Sequence, residues 1–167
     1  MPAPSRFLSE RHAAVRGRFD EFAVDALVVT HPPNIFYLSN HAGSAGLLVL
    51  ARDAVHLLAD FRYAESVERL QASAHACPGL QPWPVPSSYD EALVSCLASV
   101  GFSRVGFESA YVSVSRHDWL QRTIASRELR VELVPLEGIV ERRRIVKDAY
   151  ELQAIRAAAS HLAAVAE

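Results

Sequence analysis

The chain is short of cysteine, of charge imbalance and of long apolar runs, and each shortage excludes a class of function. Its 167 residues include only two cysteines, Cys77 and Cys96. They lack metal-type spacing and read as reduced thiols of a cytosolic protein, with Cys96 as a core filler. Lys and Arg number 17 against 19 Asp and Glu, a formal charge of −2. That balance supplies no long-range attraction to nucleic acid or to an anionic membrane. No apolar run approaches the length of a membrane span, and the polar segment 1–11 lacks the apolar core of a secretion signal. His12, His31, His41, His56, His75, His117 and His161 are scattered, with no H-E-x-x-H or H-x-H group at ligand spacing. No metal site is therefore expected inside the chain. Internal repeats and low-complexity tracts are also missing.

Half of the residues are hydrophobic and 22% are charged, the balance of a globular protein with a real core in one domain. Periodicity predicts helices over 5–22 with Ser5 as cap, over 61–73, over 88–100, over 113–126, over 136–145 and over 147–167. The third is capped by Ser87 or Ser88, with Glu91 suited to a capping box and Gly101 as its stop; the fourth is capped by Ser113 or Ser115. Strands are predicted over 25–30, 47–50, 55–58, 104–108 and 129–134. The Pro-rich stretch 78–86 is loop or an edge strand around Trp83 and Val85. The short link 51–54 demands a hairpin, hence antiparallel pairing. Alternating strands and helices imply an α/β, three-layer domain, with a mixed five- to six-stranded sheet flanked by helices. In its strand His56 alternates outward. The last helix carries an apolar stripe of Leu152, Ile155, Ala159, Leu162 and Val165 and meets no stop signal. The chain is thus read as a fragment of a longer polypeptide.

The most specialised stretch is 31–46, between two apolar strands. Pro32-Pro33 stops the first strand and forces a turn, and small residues with Asn40 permit unusual backbone shapes. Gly43-Ser44-Ala45-Gly46 approaches a nucleophile elbow, but a strand follows it where an elbow needs a helix, so a tight loop of small residues is the better reading. His41 is either an exposed loop residue or a binding group. Asp60 is positioned to cap a helix. Arg62 offers a rigid fork for a carboxylate or pairs within the chain, and Tyr63 brings an apolar body with a polar tip. Arg142-Arg143-Arg144 and Lys147 are balanced by Glu141, Asp148 and Glu151, which reads as a solvated linker face.

Four motifs in order resemble one family. Pro32, Asn34, Ile35, Tyr37, Leu38, Ser39, Gly43, Ser44 and Gly46 match a P-x-N-I-x-Y-L-[ST]-G-F-[ST]-G-S-x-G segment. Asp60, Arg62 and Tyr63 match T-D-x-R-Y. Arg104-Val105-Gly106-Phe107-Glu108 matches R-[IV]-G-[FV]-E, and Arg144 to Leu152 matches R-x-[IV]-K-[SD]-x-x-E-[IL]. Together they resemble the N-terminal domain of the creatinase, prolidase and aminopeptidase P metallopeptidases, the pita-bread family.

The resemblance implies a ribonuclease H-like fold over 1–135 and, over 136–167, a linker and the start of the first helix of a catalytic domain. It implies no catalytic residue and no metal ligand in this chain. Two divalent metals (Mn, Co or Zn) would sit in that following domain, held by two Asp, one His and two Glu. The implied parent is a cytoplasmic, homodimeric Xaa-Pro peptidase acting on proline-containing peptides. In it this domain would serve dimerisation and gate the partner's active site through Ser39, Asn40, His41, Ser44, Arg62 and Tyr63. Neither nucleic acid nor membrane is implied as a partner. Asn40 stands where the family has Gly, and His41 where it has Phe. The loop lacks the charged residues of strict dipeptidases and leans toward the aminopeptidase-like or generic Xaa-Pro branch. A creatinase-like C–N hydrolase parent and a non-enzymatic protein-binding module are the alternatives.

Overall fold

Residues 2–166 are described by a computed structural model. Its centre is the strand Ala26–Val29 (β1), four apolar residues buried without exception. Leu47–Ala51 (β2) and Val55–Ala59 (β3) form the expected hairpin, with β2 antiparallel to both β1 and β3. Arg104–Glu108 (β5) pairs parallel with β1, and Glu132–Leu136 (β6) pairs parallel with β5. Leu80–Pro84 (β4) adds parallel to β3 as an edge strand, where Pro82 and Pro84 are tolerated. The mixed sheet runs β4-β3-β2-β1-β5-β6.

Helices cover both faces. On one lie Ser5–Arg16 (α1), Phe19–Phe22 (α2), Pro32–Ser39 (α3) and Ile139–Ile145 (α7). Their Leu8, Val15, Phe19, Ile35 and Leu38 pack on Leu27, Leu48, Leu50 and Leu57. On the other lie Tyr89–Val100 (α5) and Val114–Ser126 (α6), whose Leu93, Leu97, Leu120 and Ile124 meet Val28, Val49 and Leu58. Each fully buried Leu contributes about 1.5–3 kcal/mol. A short 3₁₀ turn, Phe61–Tyr63, leads into Ala64–Gln71 (α4), and Ala149–Ala166 (α8) ends the described chain. Among the described residues no helix is long and apolar enough to cross a membrane.

The serine caps of α5 and α6 and the Gly101 stop are those expected, while the Glu91 side chain pairs with Arg127 instead of closing a capping box. Glu91 N–H donates to Ser88 Oγ (3.1 Å), Arg116 N–H to Ser113 Oγ (3.2 Å), and Gly101 takes a left-handed φ of 80°. Elsewhere the sequence reading needs correction. The opening helix breaks after Arg16 and restarts at Phe19. Ser5 does not cap it; Ser5 Oγ donates to Ala74 O across 69 residues (3.1 Å). The segment 31–46 is not all loop. Pro32 and Pro33 occupy the first two positions of α3, where a missing N–H is harmless and φ is already helical. The 129–134 strand pairs only from Glu132, because Glu128 takes φ 54° and Leu129 and Val131 pack under α6 before the ladder starts. His56 points inward and is 4% exposed, since helices cover both faces and leave β3 no outward side. The final helix reading included Glu167, which lies outside the described residues.

Candidate functional site

The loop after α3 is wound around one imidazole. Asn40 ends the helix with φ 62°, a left-handed value that Asn accepts. Its side chain is buried and holds the N-terminal segment: Oδ1 accepts from Ala3 N–H (2.8 Å), and Nδ2 donates to Ala3 O (2.7 Å) and His75 O (2.9 Å). Ser39, fully buried, donates from Oγ to Ile35 O (2.7 Å) and accepts from His41 N–H (3.1 Å). These two residues form the base of the loop. Ser39 does not reach its surface, and Asn40 only borders the recess beside His41.

His41 is buried, not an exposed loop residue. Its Nε2 lies 3.1 Å from Ala45 O, and this carbonyl requires the proton on Nε2. Tyr63 meets the imidazole edge-on at 5.1 Å between centroids. Gly43 closes over the same ring: a Cβ there would fall 2.4 Å from His41 Nε2 and 2.9 Å from Tyr63. Ser44 Oγ and Tyr63 Oη share a hydrogen bond of 2.8 Å near the surface. His41, Gly43, Tyr63, Val67 and Leu70 line a recess of about 290 Å³.

Residues 60–63 form a ridge beside that recess. Asp60 caps the 3₁₀ turn through Arg62 N–H (3.1 Å) and accepts from Arg62 Nε (2.9 Å), Arg62 Nη2 (2.7 Å) and Tyr89 Oη (2.8 Å). The Arg62 guanidinium, followed by Tyr89, holds the Asp60 carboxyl well below the usual carboxylate range, and Asp60 in turn raises Arg62. Arg62 is 60% exposed, so much of its fork faces solvent. Phe61 is also exposed and lines an apolar groove of about 440 Å³ on the far side of the ridge, with Leu57, Val67, Trp83 and Val85. Ser44 bonds to Tyr63 and the Arg62 guanidinium lies 5.5 Å from the Tyr63 ring, so these three share one surface, while the buried His41 and Asn40 border the recess and Ser39 stands beneath it.

A second polar cluster joins three of the sequence motifs and takes Glu141 and Arg144 out of the solvated linker face expected for them. Glu108, at the end of β5, is buried and accepts from Thr30 N–H (2.6 Å), His31 N–H (2.8 Å) and Asn34 Nδ2 (2.6 Å). Burial raises its carboxyl, against the lowering effect of those donors. Asn34 Nδ2 also donates to Glu141 Oε1 (2.5 Å), and Asn34 Oδ1 accepts from Arg144 Nη1 (2.8 Å). The motif residues Asn34, Glu108 and Arg144 thus form one structural knot that ties α3 and α7 to the sheet end. His31 stacks on Tyr111 beside it at 3.9 Å.

Among the described residues no group of three or more His, Cys, Asp or Glu could hold a metal ion. Cys77 and Cys96 are buried, and burial pushes both thiols up to about 12, which removes them as nucleophiles.

The uncharacterized peptidase YqhT of Bacillus subtilis (strain 168) is 27% identical over 145 residues, covering 87% of this chain and 38% of YqhT. The N-terminal domain of the cytoplasmic peptidase PepQ from Mycobacterium tuberculosis H37Rv superposes with a TM-score of 0.65 at 28% identity. That match covers 79% of this chain and 96% of the PepQ domain. The Xaa-Pro dipeptidase from Bacillus anthracis superposes at a TM-score of 0.76 with 21% identity, covering 87% of this chain and 38% of the dipeptidase, a likeness of fold. The chain thus spans well under half the length of YqhT and of that dipeptidase. Residues 11–146 match the Creatinase/Prolidase N-terminal domain. With its mixed six-stranded sheet and its motifs in order, this chain belongs to the Creatinase/Prolidase N-terminal domain family.

Proposed function

We propose that this chain is the noncatalytic N-terminal domain of a metal-dependent Xaa-Pro peptidase, and that it serves dimerisation and gating of the partner's active site. The family match over residues 11–146 carries the reading. The near-complete coverage of the PepQ N-terminal domain at 28% identity supports it. In this reading residues 1–135 are the domain, and 136–167 are a linker and the first helix of a catalytic domain. That domain holds the two divalent metals (Mn, Co or Zn) and the hydrolytic chemistry. The parent is a cytoplasmic homodimer.

The recess beside His41 is the gate. Ser44 Oγ and Tyr63 Oη already share a proton, so one of the two hydroxyls is free to donate to a peptide carbonyl. Arg62 keeps Nε and Nη2 on Asp60, while Nη1 makes no hydrogen bond among the described residues and is the donor offered outward. His41 positions the loop from beneath, in place of an apolar contact to substrate. Fixed donors on a rigid wall limit substrate length and exclude water.

The full-length protein tests this. Arg62→Ala is expected to raise KM for an Xaa-Pro dipeptide about tenfold, the loss of one charge-assisted hydrogen bond, with kcat changed less. Unchanged kcat and KM in both Arg62→Ala and Tyr63→Phe would remove the gating role. A second reading, a protein-binding module, is favoured by the apolar groove of about 440 Å³ beside exposed Phe61. A full-length protein that neither retains divalent metal nor cleaves Xaa-Pro peptides would establish it over the first.

A further inference from the structure

Helix α8 leaves the body of the domain almost at once. Glu151 and Ala154 are half-buried, but every residue from Ile155 to Val165 is exposed. A recess of about 300 Å³, bordered by Phe36, Tyr37, Tyr150 and Ile155, separates its start from α3. Packing against the other described residues therefore does not fix its direction. Only its first turn can.

That first turn is held by an unusual group. Arg11 in α1 is 6% exposed, and a guanidinium this buried requires partners. Its Nη1 donates to Tyr37 O (2.9 Å), and its plane lies 4.1 Å over the Tyr37 ring. Nε and Nη2 both donate to Asp148 Oδ2 (2.9 and 2.7 Å), and Glu151 Oε2 stands 3.8 Å away. Asp148 divides its two oxygens between two tasks. Oδ2 takes Arg11, while Oδ1 accepts Glu151 N–H (2.8 Å), and Glu151 Oε2 accepts Asp148 N–H in return (3.0 Å). This reciprocal pair is a capping box. Tyr150 adds a bond from Oη to Pro2 O (2.8 Å) and a tilted contact with Phe7 at 5.7 Å. Helix α7, just before, is pinned separately by the Asn34 knot.

We propose that Arg11 is a positioning residue: through the Asp148 cap it fixes the direction in which α8 projects from the domain. At a rise of 1.5 Å per residue α8 is about 27 Å long, so a 20° swing at its base moves its tip by about 9 Å. For a catalytic domain continuing from α8 this sets where the gate sits relative to the reacting bond. That consequence rests on the proposed function, whereas the fixed direction does not.

Spin labels on Ser99→Cys in α5 and Ser160→Cys in α8, both exposed, report the direction by pulsed electron paramagnetic resonance. Cys77 and Cys96 stay unlabelled because they are buried thiols. The expected result is one narrow distance distribution in the otherwise unchanged chain and at least a twofold broadening in Arg11→Ala. Asp148→Ser keeps a capping hydroxyl for α8 but deletes the ion pair, and it should broaden the distribution as well. It decides alone if Arg11→Ala does not fold. Arg11→Lys should recover part of the narrowness. A distribution already broad without either substitution, or one unchanged in a folded variant, overturns the proposal. A narrow, Arg11-dependent distribution in a chain whose full-length parent cleaves no Xaa-Pro peptide would keep the lock and discard the function.

Discussion

The two faces of the sheet are built on different terms. The face under α1, α3 and α7 buries Arg11, His12, Asn34, Ser39, Asn40 and Glu108, and each has hydrogen-bond partners. The face under α5 and α6 is almost dry, and its buried imidazole, His56, has no hydrogen-bond partner for either ring nitrogen among the described residues. His56 sits among aromatic neighbours, Trp83 and Phe102, each at 6.4 Å. The polar face carries most of the family's sequence motifs, and the dry face carries packing. Buried polar groups specify a unique geometry only when every member is satisfied. The polar face therefore fixes the loop around His41 and the first turn of α8, while the dry face supplies stability.

The sharpest break of this contrast is Asn34→Leu. It removes the Asn34 donor from buried Glu108, which keeps only Thr30 and His31, and it releases Glu141 and Arg144. Removing one hydrogen-bond partner of a buried charged group costs about 3 kcal/mol. At about 2–4 °C per kcal/mol for a chain of this size, the midpoint of thermal unfolding should fall by roughly 10 °C. A change under 1 kcal/mol in urea unfolding would mean that the knot is ornamental.

Next comes Gly43→Ala. The new Cβ collides with His41 and Tyr63, so the loop must open, for about 1–3 kcal/mol. The loss of the His41–Tyr63 contact should show in the Tyr63 ring resonances. If the loop absorbs the methyl without change, His41 is not its hub.

The smallest effect has the opposite sign. His56→Leu should stabilise the protein by about 1 kcal/mol at neutral pH, because it removes two buried nitrogens that lack partners. It should also alter the acid response. Burial lowers the folded-state pKa of His56 below 6.5, so the unfolded chain takes up the proton first. The stability associated with neutral His56 is complete above pH 6.5 and declines as pH falls below it. His12 is likewise lowered by burial and should behave the same way on the polar face. His56→Leu should thus remove one of two histidine contributions to acid lability, measured by urea unfolding from pH 7.5 down to 5. Equal acid slopes in both proteins would show that His56 finds a partner.

Local rules in the sequence were sufficient for much of this fold. The Ser88 and Ser113 caps, the stop at Gly101, the tight hairpin and the Pro-rich edge strand each depend on residues a few positions apart. Pro32-Pro33 failed as a signal because two prolines end a strand and begin a helix equally well. His56 looked outward because alternation cannot tell a sheet covered on one face from one covered on both. Of the candidate site residues, Ser44, Arg62 and Tyr63 share a surface, His41 and Asn40 are buried at the recess wall, and Ser39 lies beneath it. Asn34, Glu108 and Arg144 belonged to recognisable motifs, yet only the fold shows that they meet. Arg11 had no local signal at all, since its partner Asp148 is 137 residues away.

The central claim is that this domain gates and orients a reaction centre that it does not contain. The most direct measurement is Xaa-Pro peptide hydrolysis by the purified chain alone, with Mn, Co or Zn added, beside the full-length protein under the same conditions. The claim predicts no cleavage by the chain and metal-dependent cleavage by the full-length protein. Turnover by the isolated chain that persists through repurification and disappears on chelation would contradict it.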